Sequence, residues 1–309
     1  MAAAPRAQLA RVSPESLIER RPHGDSLLWR MGRGATRAFQ PAEDIRLIAE
    51  NGRWVQHPVT TGRRIAVTGI RGGAGKSTVA ALIAKVFARY RQDRVLVMDL
   101  DPNLGSLPLR LGIEAGPSLG DLARAGVGMG SFEQVEPYLS PTAERLWALP
   151  GSRGSLDDSE LDADIYRTAG VPLSRFFGVT VTDSGAGLQS KLHHAALAAA
   201  HSQVLVASAT SDGVSSAGRA LDWMAANGLA ELRARTVVVF SVHTPHGPQG
   251  TDLGRAAGIL AEAGIASATL GFDRHMAMGA ALDPGRLAYA SKVTAVTVAA
   301  TAIRLALSA

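Results

Sequence analysis

Cysteine is absent from the 309-residue chain. Its absence removes disulfides, thiolate zinc sites and cysteine-held iron–sulfur clusters, and it fits a reducing compartment. Aromatic residues make up only 5%, and the four tyrosines, Tyr90, Tyr138, Tyr166 and Tyr289, are scattered. The opening MAAAPRAQLARVSPES lacks the unbroken apolar core of a signal peptide, and no run of about 18 apolar residues is evident to span a bilayer. A soluble, cytoplasmic protein is expected, with association at the nucleoid or membrane periphery left open. Nucleophile chemistry is poorly served too, for there is no GxSxG elbow and no Ser–His–Asp spacing. His243 and His246 share a proline-bearing loop, and His193, His194 and His201 fall on one expected helix, without carboxylates at ligand spacing. They read as surface histidines rather than a metal centre. The acidic run LDDSELDADIY lacks the glycine and ligand order of a calcium loop.

What is present supports a core. The hydrophobic share is 46%, and the length suits one large α/β domain with an appendage, or two small domains. The net charge of +5 is unevenly spread: residues 1–64 hold 11 arginines, no lysine and 6 acidic residues, and the rest balances to zero. Such an arm suits nucleic acid, anionic lipid or an acidic partner, and equally suits a solubilising leader. Residues 1–63 show little sustained periodicity, although PAEDIRLIAENG has the pattern of a short helix and SLLWRMGRG offers Leu27, Leu28 and Trp29 for docking. They are expected to form a basic, largely flexible arm, with the folded domain over 64–309.

From Arg64 onward, the runs RIAVTG, RVLVMDL, RLWALPG, GVTVTDSG, QVLVASAT, TVVVFSV and ASATLGF alternate with helical patterns such as Lys76–Tyr90, Leu188–His201, Val214–Ala226 and Leu253–Ala263. Near-continuous apolar runs are strands buried on both faces, and strand–helix alternation implies right-handed crossovers. The expected fold class is α/β, a doubly wound, mostly parallel sheet with helices on both faces. Val79, Leu82, Ile83, Val86 and Phe87 lie on one stripe of the first helix, facing the sheet. The closing helix near Lys292–Leu307 is apolar nearly all round and is expected in the core, not on a membrane surface. Ser159 with Asp162 is expected to cap a helix running toward Phe177.

The chemistry concentrates between the first strand and first helix, in RIAVTGIRGGAGKSTVAALIAKVF. Gly72, Gly73 and Gly75 allow a concave nest of backbone N–H donors at a helix N-terminus, open to a polyphosphate. Lys76 supplies a point charge to the β- and γ-phosphates, and the Ser77 hydroxyl is a ligand for the accompanying Mg²⁺. The strict G-x-x-x-x-G-K-[ST] pattern is not met, because Ile70 stands where its first glycine belongs. A second cation, Arg71, precedes the lysine by five residues.

The stretch from Arg71 through Gly72, Gly73, Ala74, Gly75, Lys76, Ser77 and Thr78 resembles the KGGxGK[ST] loop of the ParA/MinD family of P-loop ATPases, with arginine in place of the signature lysine. The resemblance implies that this cation reaches the phosphates of a second subunit across a nucleotide-sandwich dimer; arginine keeps the charge and gains a fork. VLVMDLDPNLGSLPLRLG is similar to the family's switch I segment, implying that Asp101 positions the attacking water and that Asp99 supports the magnesium shell. Taken alone, two acids at a strand end serve equally well as loop-stabilising groups. VTVTDSGAGL resembles the DxPAG segment, implying that Asp183 holds Mg²⁺ through a water, although Ser184 and Gly185 replace the usual pair. An asparagine that reads adenine in relatives is Ser241 here, so ATP is implied by the family rather than by a base-reading residue. The scattered tyrosines form no tail cluster like that of the related tyrosine kinases.

The resemblance implies a slowly hydrolysing Mg·ATPase that acts as a nucleotide-dependent dimerisation switch in positioning, partitioning or secretion. It also implies a homodimer, a protein partner that stimulates hydrolysis, and DNA or anionic membrane as a surface for the arm. The chain is similar as well to actinobacterial ParA/MinD-like ATPases, some associated with type VII secretion. A rival expectation is a non-hydrolysing scaffold that keeps the fold and binds a protein partner, because Ile70, Arg71 and Gly185 depart from consensus.

Overall fold

The computed structural model describes residues 22–25, 42–102, 105–113, 116–126, 130–143, 145–152, 161–247 and 250–309. The apolar runs form β1 (Arg63–Thr68), β2 (Val95–Leu100), β3 (Ser140–Ala143), β4 (Leu146–Leu149), β5 (Val179–Ser184), β6 (Ser202–Ser208), β7 (Thr236–Ser241) and β8 (Ala266–Leu270). They assemble in the order β3-β4-β2-β5-β1-β6-β7-β8, parallel throughout except where β3 pairs antiparallel with β4. β2, β5 and β7 are buried at every position, as expected of strands covered on both faces. The edge strand β3 carries Pro141, which donates no ladder hydrogen bond and is tolerated at an edge.

Helices cover both faces. α1 (Ala42–Val55), α2 (Lys76–Tyr90) and α9 (Tyr289–Leu307) share one core cluster with the sheet. α5 (Lys191–Ala199) and α6 (Ser211–Ala226) pack on the other face, and α7 (Leu253–Glu262) and α8 (Arg274–Ala277) flank β8 in sequence. Between β2 and β3 run the short α3 (Leu107–Leu111) and α4 (Leu119–Arg124). α9 is long and apolar enough to cross a membrane, with mean hydropathy 1.3, which corrects the expectation that no such run exists; 56% of that stretch is buried in the core. Asp162 caps the amides of Asp164 and Ile165 and opens the helical turns of 163–176 itself, and Ser159, its expected partner, lies outside the described residues.

The expected boundary at residue 63 shifts inward. α1 packs against α9, with Asn51 Nδ2 donating to Thr297 Oγ1 at 3.0 Å. Its end is pinned by the buried Arg91, which donates to the carbonyls of Val55 (2.8 Å) and His57 (2.9 Å) and pairs with Asp93. Residues 22–25 also dock, through Gly24 N–H to the Arg286 carbonyl at 2.7 Å and Asp25 Oδ2 accepting from Tyr289 N–H at 3.2 Å. The described parts of the expected arm therefore lie on the domain. Its remaining residues, with Leu27, Leu28 and Trp29, are outside the described set.

Candidate nucleotide site

The central strand β1 lies between β5 and β6 and runs straight into the glycine loop, so the loop emerges where the sheet's strand order reverses, the place open α/β sheets bind ligands. Gly73 and Gly75 hold φ of 74° and 94°, the left-handed region. A Cβ at Gly75 would stand 3.1 Å from Ser241 Oγ, whereas Gly72 and Gly73 face open space. α2 begins at Lys76 with no side-chain cap and no acid in its first turn, leaving its N–H groups and positive dipole end for an anion. Lys76 is buried and folds back over the loop, its Nζ 3.3 Å from the Arg71 carbonyl. Ala74 turns its methyl into the core, so it serves the loop through its backbone.

Parallel register sets Asp99 directly beside Asp183 on neighbouring strands. Their surroundings divide them. Asp183 is fully buried and hydrogen-bonded to Ser77, yet its Oδ1 has no partner. Burial pushes its pKa up to about 7, against the opposing pull of Ser77 and Lys76. Asp99 accepts the backbone N–H groups of Asp101, at 2.9 Å, and Leu107; burial first, then Asp183, lifts it well above the carboxylate range. Gly105 lies so close that any side chain there would collide with the Asp99 carboxylate. Asp99 thus anchors the loop that carries Asp101. Asp101 lines the cavity, and a Cβ on Gly185 would come within 3.1 Å of its carboxyl carbon. The non-consensus glycine makes room for that carboxylate.

The loop, Asp101 and the ends of β7 and β8 enclose a cavity of about 490 Å³, within the range of a small-molecule site, and Asp99 and Asp183 lie outside its lining. Gly72, Gly73, Gly75, Lys76, Ser77, Thr78 and Asp101 line it. Arg71 does not: its guanidinium pairs with Asp212 on α6 at 2.9 Å, and both side chains are more than half exposed.

The far wall went unread in the sequence. Arg110 of α3 lines the cavity, donates Nη1 to the Met276 carbonyl at 3.1 Å and keeps a buried Nε without a partner. His243, Phe272 and Asp273 complete that wall, all just beyond the carboxyl ends of β7 and β8, the signal by which they were findable. Asp273 is committed to the amides of His275, Met276 and Ala288. The surface assignment of the histidines is corrected at His193, which is buried with neither ring nitrogen partnered, and burial lowers its pKa. Among the described residues no group of three or more His, Asp or Glu side chains is arranged to hold a metal by itself.

Comparison with known proteins agrees with this geometry. Residues 65–266 match the CobQ/CobB/MinD/ParA nucleotide binding domain. The ESX-1 secretion-associated protein EspI of Mycobacterium tuberculosis is 36% identical over 186 residues, 60% of this chain, and the chain spans only 28% of that protein's length. The ParA family ATPase of Chlorobium tepidum superposes with a TM-score of 0.65 at 16% identity, covering 78% of this chain and 98% of that one. The septum site-determining protein MinD of Pyrococcus horikoshii, solved with Mg-ADP, gives 0.59 at 16% identity over 77% and 94%. A matched segment that begins in β1, takes in the phosphate loop, both strand-end acids, Arg110 and His243, and ends at the start of β8 leaves one assignment: the chain belongs to the CobQ/CobB/MinD/ParA nucleotide-binding family.

Proposed function

We propose that the chain binds Mg·ATP in this cavity, hydrolyses it slowly, and uses the nucleotide state to switch between monomer and dimer. The observation that carries the reading is the pairing of an uncapped helix N-terminus bearing Lys76 with a buried, half-satisfied carboxylate at Asp183. A hard divalent cation prefers oxygen donors, and the orphaned Asp183 Oδ1 beside the Ser77 hydroxyl supplies them. Mg²⁺, when bound there, neutralises charge on the β- and γ-phosphates.

The protein's own groups do the rest. The amides of the glycine loop hold the phosphate oxygens, and Lys76, released from the Arg71 carbonyl, meets the charge that develops on the γ-phosphoryl group. Asp101, supported by Asp99 through a backbone amide and given room by Gly185, orients the attacking water. Arg71 is held by an exposed pair with Asp212 and a long 3.5 Å hydrogen bond to Ser216 Oγ, so exchanging Asp212 for a phosphate of a second subunit costs little. The similarity to EspI favours a secretion-associated role, with a protein partner stimulating turnover; the basic N-terminal segment provides a contact for DNA or an anionic membrane. Phosphate release by the purified protein, compared with Lys76→Ala and Asp101→Ala, tests the reading. Turnover above both variants is expected; ATP binding with turnover no faster than theirs would reduce the protein to a nucleotide-binding scaffold.

A further inference from the structure

A second concavity, of about 430 Å³, lies between α2 and α9 and shares no lining residue with the nucleotide cavity. Its floor is aliphatic, built by Leu82 and Val86 of α2, Leu287, and Val296 of α9. Four cations stand around that floor: Lys85 and Arg89 of α2, Arg145 of the β3–β4 turn, and Lys292 of α9. No carboxylate is among the described lining residues, and Lys85, Arg89 and Lys292 make no ion pair there. Lys85 is half-buried, and that burial pulls its ammonium pKa down, with Asp283 as the opposing charge. Arg145 holds φ of 64°, making it the one non-glycine residue in the left-handed region among the described residues. An arginine gains nothing from that conformation by itself, yet there its side chain joins the cationic rim.

We propose that this concavity binds a single-chain anionic amphiphile, a long-chain carboxylate whose tail lies along the aliphatic floor and whose head meets the four cations. Charge decides between occupants. A neutral ligand buries Lys85 further without giving it a hydrogen-bond acceptor, whereas a carboxylate forms charge-assisted hydrogen bonds with it. Size decides against a partner helix. At a diameter of about 10 Å, a single helical turn already fills on the order of 400 Å³, so a helix long enough for recognition does not enter. An extended acyl chain does. The site makes no demand on the nucleotide, so the proposal stands or falls independently of ATP binding.

The test is calorimetric titration of the full-length protein with dodecanoate, kept below its micellar concentration. One site per chain is expected, weakened by salt, with dodecylamine failing to bind. Lys85→Gln combined with Lys292→Gln should weaken binding about tenfold while leaving ATP affinity unchanged. Arg89→Glu, at an exposed position where folding is not at stake, should weaken it as well. No heat of binding, equal binding of amine and carboxylate, or undiminished binding by these variants would overturn the proposal. So would capture on phosphatidylglycerol vesicles without binding of the monomeric carboxylate, which would make the face a membrane contact.

Discussion

Replacing Asp183 by asparagine is expected to stabilise the nucleotide-free protein and to abolish its response to Mg²⁺. Burial lifts the Asp183 pKa from 3.8 to about 7. A rise of about three pH units corresponds to about 4 kcal/mol between the protonated and ionised forms. A carboxyl whose folded pKa lies above its unfolded value contributes stability that is fully present below about pH 4 and is lost as pH rises through about 7. At pH 8 the nucleotide-free protein therefore carries a buried charge with one oxygen unsatisfied. Asparagine has the same shape, stays neutral and keeps a partner for Ser77. The neighbouring Asp99 shares part of the same electrostatic cost, so a gain on the order of 2 kcal/mol is expected rather than the full amount, about 4–8 °C in Tm for a domain of this size. Scanning calorimetry from pH 4 to 8.5, with and without Mg·ATP, reads this directly. The variant should melt above wild type at pH 8, approach it as pH falls to about 4, and gain nothing from Mg²⁺ beyond what ATP alone provides. A variant that melts at or below wild type across the whole range would refute the placement of an uncompensated carboxylate at this position.

Arg71→Ala should change the stability of the monomer by less than about 1 kcal/mol, because its pair with Asp212 is exposed on both sides, yet it should remove dimerisation driven by Mg·ATP, as read by sedimentation velocity. Gly185→Ala places a methyl 3.1–3.3 Å from the Asp101 carboxylate and should slow phosphate release about tenfold while ATP affinity stays within about twofold. His201 accepts the Arg64 N–H at 2.9 Å, and burial, reinforced by Arg64, lowers its pKa from 6.5 to about 4. Its contribution is present above about pH 6.5 and lost as pH falls toward 4; Tm should drop over that interval, and His201→Asn should flatten the drop.

The sheet was legible wherever a strand is buried on both faces, since such strands show as unbroken β-branched runs: β2, β5 and β7 fall within the stretches marked by sequence, and β1 and β6 begin one residue ahead of theirs. β3 was not legible. SPTA carries no β-signature and pairs only because it lies at the sheet's edge beside β4. α1 was foreseen as a helix but not as part of the domain, and its apolar pattern explains why. Ile45 and Leu47 are exposed, so the attachment comes from the α9 contact and from Arg91 capturing the carbonyls of Val55 and His57, a tertiary bond between residues far apart in sequence. The glycine turn at the head of α2 was legible because it rests on local backbone geometry, whereas the pairing of Arg71 with Asp212 was not. The far wall was not, because Arg110, His243 and Phe272 converge only after β7, β8 and α3 are placed.

Asp99 and Asp183 mark the limit of what residue type and spacing determine. Both end an apolar strand, both are buried, and register sets them side by side. A sequence reading gives each a share of the magnesium shell. The structure separates them by donors: Asp99 receives backbone amides from the loop ahead of α3, while Asp183 receives one hydroxyl and leaves an oxygen bare. An amide at position 99 turns an N–H toward a backbone N–H or forfeits one of those acceptor bonds, a loss of about 1–3 kcal/mol for a buried donor. Asp99→Asn should therefore lower Tm near pH 4, where Asp183→Asn is close to neutral, and it should raise the exchange rate of the Asp101 amide. The same substitution at two registered positions is expected to move stability in opposite directions at pH 8 unless relief of the shared charge at Asp99 outweighs its lost amide bonds. The pH 4 measurement isolates the bonds, and an unchanged Tm there would show that Asp99 does not hold the loop.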